Sequence, residues 1–314
     1  MIDIIIPAYN AHETIKDTLE SIASQSIKDK INVYIINDFS DKDYSEEISI
    51  FKNKLDVKEI NTGKNMGPGY ARQLGIDSSN SEFIVFIDAD DEFYNNKAIE
   101  ILYNTIKENK CDVVVGSFNE ILKDGRIIKH DKDTIWLHGK IYRRSFLDKN
   151  IIRFTNTYSN EDTGFNKLVM LCTNMYYIDD ITYIWKYNSK SITNSSEFDF
   201  SGIDGFVYNI CWAISEGEKR KCNPIKMGII VYETMLEVYY RYVYYKNKRK
   251  DVDDIIKWSK ELKKYYLKYN NYVYPVMKEE LVLNTFTTLY RNLGNYEVIL
   301  DNNISFNSFL ELID

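Results

Sequence analysis

Two acidic residues, Asp88 and Asp90, follow a run of five apolar residues, Phe83–Ile87. An uninterrupted apolar run predicts a strand that is buried on both faces. In an open α/β sheet the carboxyl ends of the strands bind ligands, so polar residues there are candidates for chemistry. An extended backbone would point Asp88 and Asp90 to the same side, where their oxygens suit a divalent cation that also holds phosphate. A solvated strand end without a ligand is the alternative for an isolated pair of this kind.

Three other polar segments occur where the sequence predicts the end of a strand or the start of a helix. The apolar runs Ile2–Ile6 and Val33–Ile36 predict strands, and turn-forming residues follow each of them. A proline between two glycines predicts the start of a helix that runs to Ile76. In chain order, the three segments are Pro7–Asn10, Asn37–Ser40 and Asn65–Gly75.

The elements that position these segments alternate between strand and helix in the first third of the chain. This βαβα rhythm predicts a mostly parallel sheet covered by helices. The middle third carries a hairpin signal at Asp124-Gly125 and a helix signal that begins near Glu161. Strand signals then fade and helical periodicity remains. We therefore predict an α/β fold with three parts, namely residues 1–110, residues 111–200 and an all-helical extension at 201–314.

The composition is that of an ordinary globular protein, with 44% hydrophobic and 28% charged residues among 314. A net charge of −7 argues against general nucleic-acid binding. No apolar stretch is long enough to span a membrane, and the N-terminus shows no signal-peptide pattern, so we expect a cytoplasmic location. The cysteines and histidines lack the spacing of a zinc site.

Taken in order, the four segments resemble the motifs of the family 2 glycosyltransferases, which have the GT-A fold. The similarity covers about Met1–Thr193, and its motifs are Pro7-Ala8-Tyr9-Asn10, Asn37-Asp38-Phe39-Ser40, Asn65 to Gly75 and Asp88-Ala89-Asp90-Asp91. The resemblance implies a Rossmann-like domain whose sheet edge binds a nucleotide-sugar, with a UDP-sugar as the favoured donor. It also implies Mn²⁺ or Mg²⁺ as a cofactor.

By this resemblance the base and ribose would lie against Pro7, Ala8 and Tyr9, and Asp38 would accept the N3–H of uracil. Asn37 stands where the family often has a second aspartate, which leaves the base preference open. Taken alone, Asn37-Asp38 is equally well explained as a turn, and Arg72 as a surface ion pair. The predicted donor-binding residues are Pro7, Ala8, Tyr9, Asn10, Asp38, Asn65, Gly67, Arg72, Asp88 and Ala89.

The resemblance also assigns the metal to Asp90, with Asp88 beside it. It assigns the catalytic base to Asp162, with Glu161 as the second choice. Both acids begin a predicted helix, and the positive end of the helix dipole would lower the pKa of the base and keep it ionised. A helix cap without catalytic function is the alternative for this acid pair.

Three residues of the middle third, Trp136, His138 and Lys140, would contact the acceptor by the same resemblance. Core packing is an equal alternative for Trp136, and a lone histidine is more often structural. Trp185–Tyr187 and Ser191–Thr193 resemble a segment that closes over the diphosphate.

The implied reaction is a single displacement that inverts the anomeric carbon of the sugar, with the base taking a proton from the acceptor hydroxyl. The acceptor would be a glycan, a lipid-linked molecule or a protein. One alternative is a non-catalytic carbohydrate-binding or partner-binding module on the same scaffold. A sugar-phosphate nucleotidyltransferase is less favoured, because Pro7–Asn10 is not a glycine-rich phosphate loop.

The C-terminal third contains a tyrosine-rich segment, Val238–Lys246, which is followed by the basic residues Lys248-Arg249-Lys250. Aromatic and basic residues together suggest docking to a membrane surface or to a lipid-linked acceptor. We favour a packed helical subdomain or a homodimer surface, because tyrosine is common in cores and interfaces.

Overall fold

The computed structural model describes residues 1–189, 191, 203–248, 251–293 and 304–313. The chain forms two compact units, Met1–Phe198 and Asp199–Asp314. The first unit contains a sheet, which runs without interruption through residues on both sides of position 110. A subdivision of this unit at residue 110 therefore stays a prediction.

The first unit combines strands and helices in the alternating order that the sequence predicts. Its strands are β1 (Ile2–Ala8), β2 (Ile31–Asn37), β3 (Asp56–Asn61), β4 (Phe83–Phe86), β5 (Glu92–Phe93), β6 (Val113–Ile121), β7 (Ile127–His130), β8 (Lys140–Arg143) and β9 (Tyr176–Trp185). Its helices are α1 (Ile15–Ala23), α2 (Ser45–Phe51), α3 (Pro68–Ser78), α4 (Ala98–Glu108), α5 (Arg144–Lys149) and α6 (Glu161–Cys172).

One sheet organises these elements, with the order β3-β2-β1-β4-β8-β6-β9-β5 and with β7 paired to β6. The strands β1 to β4 are parallel to one another where they pair, as the βαβα rhythm predicts. In the second half β8 is antiparallel to both β4 and β6, whereas β6 and β9 are parallel, so antiparallel pairs join the parallel strands in one mixed sheet. The carboxyl ends of β1, β2 and β4 thereby lie side by side.

Pro7 does not end the first strand, contrary to the sequence prediction. Strand β1 continues to Ala8, and Pro7 lies opposite Ile36 of β2. The pairing of β1 with β4 covers only Ile2–Ile5, so Pro7 lies beyond that ladder, where a missing N–H is tolerated. Because β1 extends to Ala8, which lies opposite Asn37, Tyr9 follows directly after the point where β2 also ends.

Helix α3 packs unusually closely on the sheet because it contains glycine. A Cβ atom at Gly75 would lie 2.4 Å from the side chain of Ile5 in β1. At the other end of the helix, a Cβ at Gly69 would lie 2.4 Å from the carbonyl oxygen of Thr155. The helix that carries Arg72 is thus fixed between β1 and the segment that leads into α6.

The second unit consists of helices in its described residues, as predicted. They are α7 (Ile203–Lys219), α8 (Pro224–Asn247), α9 (Asp253–Tyr269), α10 (Pro275–Leu293) and α11 (Phe306–Leu312). In α8 the side chains of Tyr240, Tyr242 and Tyr245 are buried, and the Tyr242 ring lies 5.1 Å from that of Phe309. The tyrosine-rich segment therefore packs within its own unit, which agrees with the favoured interpretation. The basic residues Arg249 and Lys250 lie outside the described residues.

Among the helices of the described ranges, none combines the length and the apolar character that a membrane span requires.

Candidate active site

Strand β4 ends at Phe86, and Asp88–Asp91 forms a turn rather than the predicted extended segment. The N–H of Asp91 donates to the carbonyl oxygen of Asp88 at 3.2 Å, which closes the turn. The turn brings an Asp91 carboxylate oxygen to within 4.8 Å of one of Asp88, while Asp90 also lies close enough to feel the Asp88 charge. The buried carboxylate of Asp91 accepts hydrogen bonds from the Tyr183 hydroxyl at 2.6 Å and from the Lys186 N–H at 2.8 Å. These bonds give Asp91 a structural role, joining β9 to the end of β4.

His138 faces this acidic turn from the interior. Its Nε2 lies 3.8 Å from an Asp88 oxygen and 3.9 Å from an Asp91 oxygen. The ring is stacked between Tyr183 and Trp136, at centroid distances of 4.5 and 5.9 Å. Burial lowers the pKa of His138, although Asp88 acts in the opposite direction. The lowered pKa keeps the imidazole neutral. His138 is thus buried beside the carboxylates, and the sequence prediction that it contacts the acceptor gains no support from this position.

The acidic turn has the donor groups of a divalent-cation site. Oxygens of Asp88 and Asp91 and a nitrogen of His138 lie within 4.8 Å of one another. The Asp88 side chain is 35% exposed, so an ion has access to it. Asp90 is partly buried, and one of its oxygens accepts a hydrogen bond from Asn188 at 2.8 Å. Carboxylate oxygens fit Mn²⁺ or Mg²⁺, so the carboxylates of the turn suit the cofactor that the resemblance implies, whereas an imidazole nitrogen is a poor ligand for Mg²⁺.

Burial and the repulsion between neighbouring carboxylates disfavour ionisation of Asp90 and Asp91. Burial and the neighbouring Asp88 charge raise the pKa of Asp90 above its ordinary value. Burial, Asp88 and Asp90 raise that of Asp91 further. A nearby positive charge would favour the ionised form of each carboxylate.

Arg72 of α3 bridges the acidic turn and the start of α6. Its Nη2 donates to Asp88 at 2.7 Å, and its Nη1 donates to Glu161. The guanidinium is buried, and burial alone would lower its pKa, but Asp88, Glu161 and Asp162 outweigh that effect and raise it. Burial likewise opposes ionisation of Asp88, but Arg72 and His138 hold the pKa of Asp88 below its usual range. Arg72 is therefore not a surface ion pair but the centre of a buried charge network.

Asp162 stands beside this network in the first turn of α6. Burial, followed by the charge of Glu161, raises the pKa of Asp162 to about 7, although Arg72 and the N–H of Thr163 act in the opposite direction. The sequence-based expectation of a lowered pKa is therefore wrong, because desolvation outweighs the helix dipole. A pKa near 7 suits a group that must accept a proton at neutral pH. Glu161 is engaged by Arg72, so Asp162 is the better candidate base.

Asp38 holds together the loop that precedes α3. Its carboxylate accepts hydrogen bonds from the N–H groups of Met66 and Gly67 at 2.8 and 2.7 Å, and from the Thr62 hydroxyl at 2.9 Å. Gly67 has a φ of +85°, which favours glycine. Asp38 thus shapes the loop that carries the exposed Asn65, and its binding to a base stays a prediction.

Asn37 has the role of a turn residue, as the alternative interpretation proposed. Its Oδ1 accepts from the N–H of Ser40 at 2.8 Å, and its Nδ2 donates to Glu59 at 2.7 Å. The remaining predicted donor-site residues lie at the same sheet edge. Pro7, Ala8 and Tyr9 end β1 or follow it, Asn10 binds the Asp41 N–H, and Ala89 is buried in the acidic turn.

Lys140 does not present its charge to an acceptor. The side chain is fully buried, and Nζ donates to the Trp136 carbonyl at 2.6 Å and to Asp133 at 3.2 Å. Lys140 therefore supports the loop before β8. The prediction that it contacts the acceptor is wrong, because its charge is buried within the protein. Trp136 is partly exposed, and its ring lies 5.9 Å from that of His138 and 5.2 Å from that of Trp185, so its contact with an acceptor stays a prediction.

Sequence reasoning missed Tyr183 and Asn188, which position Asp91 and Asp90. A polar hydroxyl within the apolar part of β9 is the only signal that could have indicated Tyr183. Lys186 and Tyr187, which were predicted to close over the diphosphate, follow β9, and Lys186 pairs with Asp17 and Glu92 at 3.2 and 2.7 Å. Ile192 and Thr193 of the same predicted segment lie outside the described residues.

Known proteins resemble this chain in sequence. It is 28% identical over 195 residues to the poly(ribitol-phosphate) beta-N-acetylglucosaminyltransferase TarP of Staphylococcus aureus, an alignment that covers 56% of this chain and 59% of TarP. It is 26% identical over 269 residues to the glycosyltransferase GlyA of Streptococcus pneumoniae, covering 76% of this chain and 37% of GlyA. The chain spans less than two thirds of the length of either relative.

Solved structures resemble it in fold. S. aureus TarS 1-349, solved in complex with UDP-GlcNAc, gives a TM-score of 0.69 at 18% identity over 94% of this chain and 93% of that chain. The mannosyltransferase PcManGT of Pyrobaculum calidifontis, solved with GDP-Man and Mn²⁺, gives 0.58 at 12% identity over 99% and 85%. These likenesses confirm the α/β GT-A fold with helices after it. The family described as glycosyl transferase family 2 matches residues 3–160, about half of the chain, and the chain therefore belongs to glycosyl transferase family 2.

Proposed function

We propose that this protein is an inverting glycosyltransferase that moves a sugar from a UDP-sugar to an acceptor hydroxyl by a single displacement. The observation that carries the proposal is the buried connection from Asp88 through Arg72 to Glu161. It joins the carboxyl edge of the donor strands to the helix turn that holds Asp162. The complex of TarS with UDP-GlcNAc supports a UDP-sugar, whereas the complex of PcManGT makes a GDP-sugar the donor to compare.

On the donor side, the nucleoside would lie across the ends of β1 and β2, against Pro7, Ala8 and Tyr9. The diphosphate would then approach the acidic turn, where Asp88 and Asp90 would hold Mn²⁺ or Mg²⁺. The buried residues His138 and Asp91 would support Asp88 from the protein interior. A bound divalent cation supplies Lewis-acid stabilisation of the charge that develops on the leaving diphosphate. Arg72 keeps Asp88 ionised and in place for this task.

On the acceptor side, Asp162 would take the proton of the acceptor hydroxyl while its oxygen attacks the anomeric carbon. The bond from that carbon to the diphosphate breaks in the same step, and its electron pair leaves with UDP. Because the attack and the departure occur on opposite faces, the configuration inverts. The proton ends on the Asp162 carboxylate, which is suited to accept it by a pKa near 7.

For the acceptor we propose a class of molecule rather than one compound. TarP is named for transfer to poly(ribitol-phosphate), and that name supports a hydroxyl of a polyol-phosphate or glycan polymer as the acceptor class. Trp136, with its partly exposed ring, is the residue we expect to contact a sugar or polyol face. Lipid-linked and protein acceptors are to be compared in the same assay.

The proposal is tested by measuring UDP or GDP release from a panel of UDP- and GDP-sugars with Mn²⁺, Mg²⁺ or EDTA. We expect turnover of a UDP-sugar that EDTA abolishes and added Mn²⁺ restores. Asp90→Ala should lose most of this turnover, because the carboxylate that would share the cation is gone. Asp124→Ala removes a carboxylate in the exposed β6–β7 turn and should retain wild-type activity.

Two outcomes of this panel count against the proposal. Metal-independent turnover would show that the acidic turn does not act by binding a cation. Retained glycan binding without turnover of any donor would instead support a binding module on the GT-A scaffold.

The activity should depend on pH through Asp162. The base acts only when it is deprotonated, and burial together with Glu161 raises its pKa to about 7. We therefore expect kcat to reach a plateau above that pH and to fall about tenfold for each pH unit below it. The measurement is kcat at saturating donor and metal between pH 5 and pH 9, with pre-incubation controls for stability. A flat profile below pH 7 would show that another group accepts the proton.

A further inference from the structure

Phe39 has a backbone conformation that phenylalanine rarely adopts. Its φ is +68°, in the left-handed region where a Cβ atom clashes with the neighbouring carbonyl group. The ring gains little from the fold, because 54% of the residue is exposed. Glycine would adopt this conformation without strain, so the turn itself does not require a side chain at position 39. Strained residues of this kind cluster at binding sites, where the surrounding structure enforces them.

The neighbours of Phe39 account for the enforced conformation. On one side, the N–H of Asp38 donates to the Ala8 carbonyl at 2.8 Å, and the Asp38 carboxylate is fixed by the loop before α3. On the other side, the N–H of Ser40 donates to Asn37 at 2.8 Å. The chain is therefore held immediately before and after Phe39, which fixes the backbone from which its ring projects.

Phe39 and Tyr9 lie in two loops that are joined by hydrogen bonds. The loop after β1 is joined to the loop after β2 because the Asn10 N–H donates to the Ser40 hydroxyl, and the Asp41 N–H donates to the Asn10 side chain, both at 2.9 Å. Tyr9 is 55% exposed. Two aromatic side chains thus stand at adjacent strand ends, where the donor nucleoside would bind, and both present most of their surface to solvent.

We propose that the strained turn presents the Phe39 ring to the nucleobase of the donor, so that Phe39 is a binding residue for a planar heteroaromatic base. This inference rests on the proposed function, because it places the base at the ends of β1 and β2. Stacking on an aromatic ring tolerates any base, whereas the carboxylate of Asp38 discriminates among bases by hydrogen bonding. Phe39 would accordingly add affinity for the nucleoside and contribute little to the chemical step.

The test compares Phe39→Gly and Phe39→Leu with the wild type in calorimetric titrations with UMP, UDP and inorganic pyrophosphate in Mn²⁺. Phe39→Gly relieves the strain and removes the ring, whereas Phe39→Leu keeps the strain and an apolar side chain. Both should bind UMP and UDP about 5- to 150-fold more weakly, the range that loss of base stacking gives, with pyrophosphate binding unchanged. With the preferred donor, KM should rise by a similar factor while kcat is retained.

Ile151→Gly is the matched control, because Ile151 also has a positive φ, of +50°, and is 67% exposed. Thermal unfolding should show both glycine variants to be at least as stable as the wild type, with only Phe39→Gly losing nucleotide affinity. Wild-type affinity of both Phe39 variants for UMP and UDP would overturn the inference, as would an equal loss of pyrophosphate binding. If the wild type binds no nucleotide at all, the proposed function fails, and this inference fails with it.

Discussion

Asp162→Asn should lower kcat by about 10²- to 10⁴-fold, the contribution that a positioned general base makes. The amide has nearly the shape of the carboxylate but takes up no proton at neutral pH. Because Asp162 lies beside the charge network without an ion pair to Arg72, the substitution should leave the fold and donor binding nearly unchanged. The measurement is initial-rate kinetics at saturating donor together with calorimetric titration of UDP. The pH dependence of the residual activity should also lose its step near pH 7.

Asp148→Asn is the control for this substitution. Asp148 is a half-exposed aspartate of the same unit, paired with Arg153 at 3.6 Å, and its loss should change neither rate nor affinity. An Asp162→Asn variant with near wild-type turnover would contradict the assignment of the base. In that case Glu161 would be the next candidate, although its bond to Arg72 makes it poorly available.

Arg72→Met should impair both stability and activity. It leaves the carboxylates of Asp88 and Glu161 without their shared cation, and removal of one partner from a buried ion pair costs about 3–5 kcal/mol of folding free energy. The turn after β4 and the start of α6 would also lose their connection, and misplacement of reacting groups by about 1 Å costs about 10²-fold in rate. Chemical denaturation and steady-state kinetics on the folded fraction separate the two effects.

A second substitution distinguishes the charge imbalance from the positioning role of Arg72. Adding Glu161→Gln to Arg72→Met removes one of the uncompensated charges, so part of the stability should return while the activity stays low. Arg241→Met breaks a less buried pair with Glu237 in α8 and should cost little in either measurement. Full stability of Arg72→Met would contradict the buried network, and full activity would contradict its part in the reaction.

Features that depend on short stretches of sequence were predictable. The apolar runs identified β1, β2 and β4, the Gly67-Pro68-Gly69 segment identified the start of α3, and Asp124-Gly125 identified the β6–β7 hairpin. The order of the polar segments was sufficient for the family. Each of these signals is local, so a single sequence contains it.

Features that depend on distant contacts were not predictable. The turn at Asp88–Asp91 brings Asp91 close to Asp88, because β9 supplies Tyr183 and the Lys186 N–H as partners of Asp91. The pKa of Asp162 follows its burial beside Glu161, which a rule based on the helix dipole ignores. Lys140 differs, because its partners Asp133 and Trp136 are near it in the sequence, but no local pattern shows that this loop folds onto its ammonium group.

The anomeric configuration of the first product tests the central claim most directly. Proton NMR in the first minutes of turnover, before mutarotation, shows whether the sugar that leaves an α-linked UDP-sugar appears as the β or the α anomer on the acceptor or on water. Single displacement assisted by Asp162 predicts the β anomer. An α anomer would require a second displacement or a return on the same face, and it would contradict the mechanism proposed for this site.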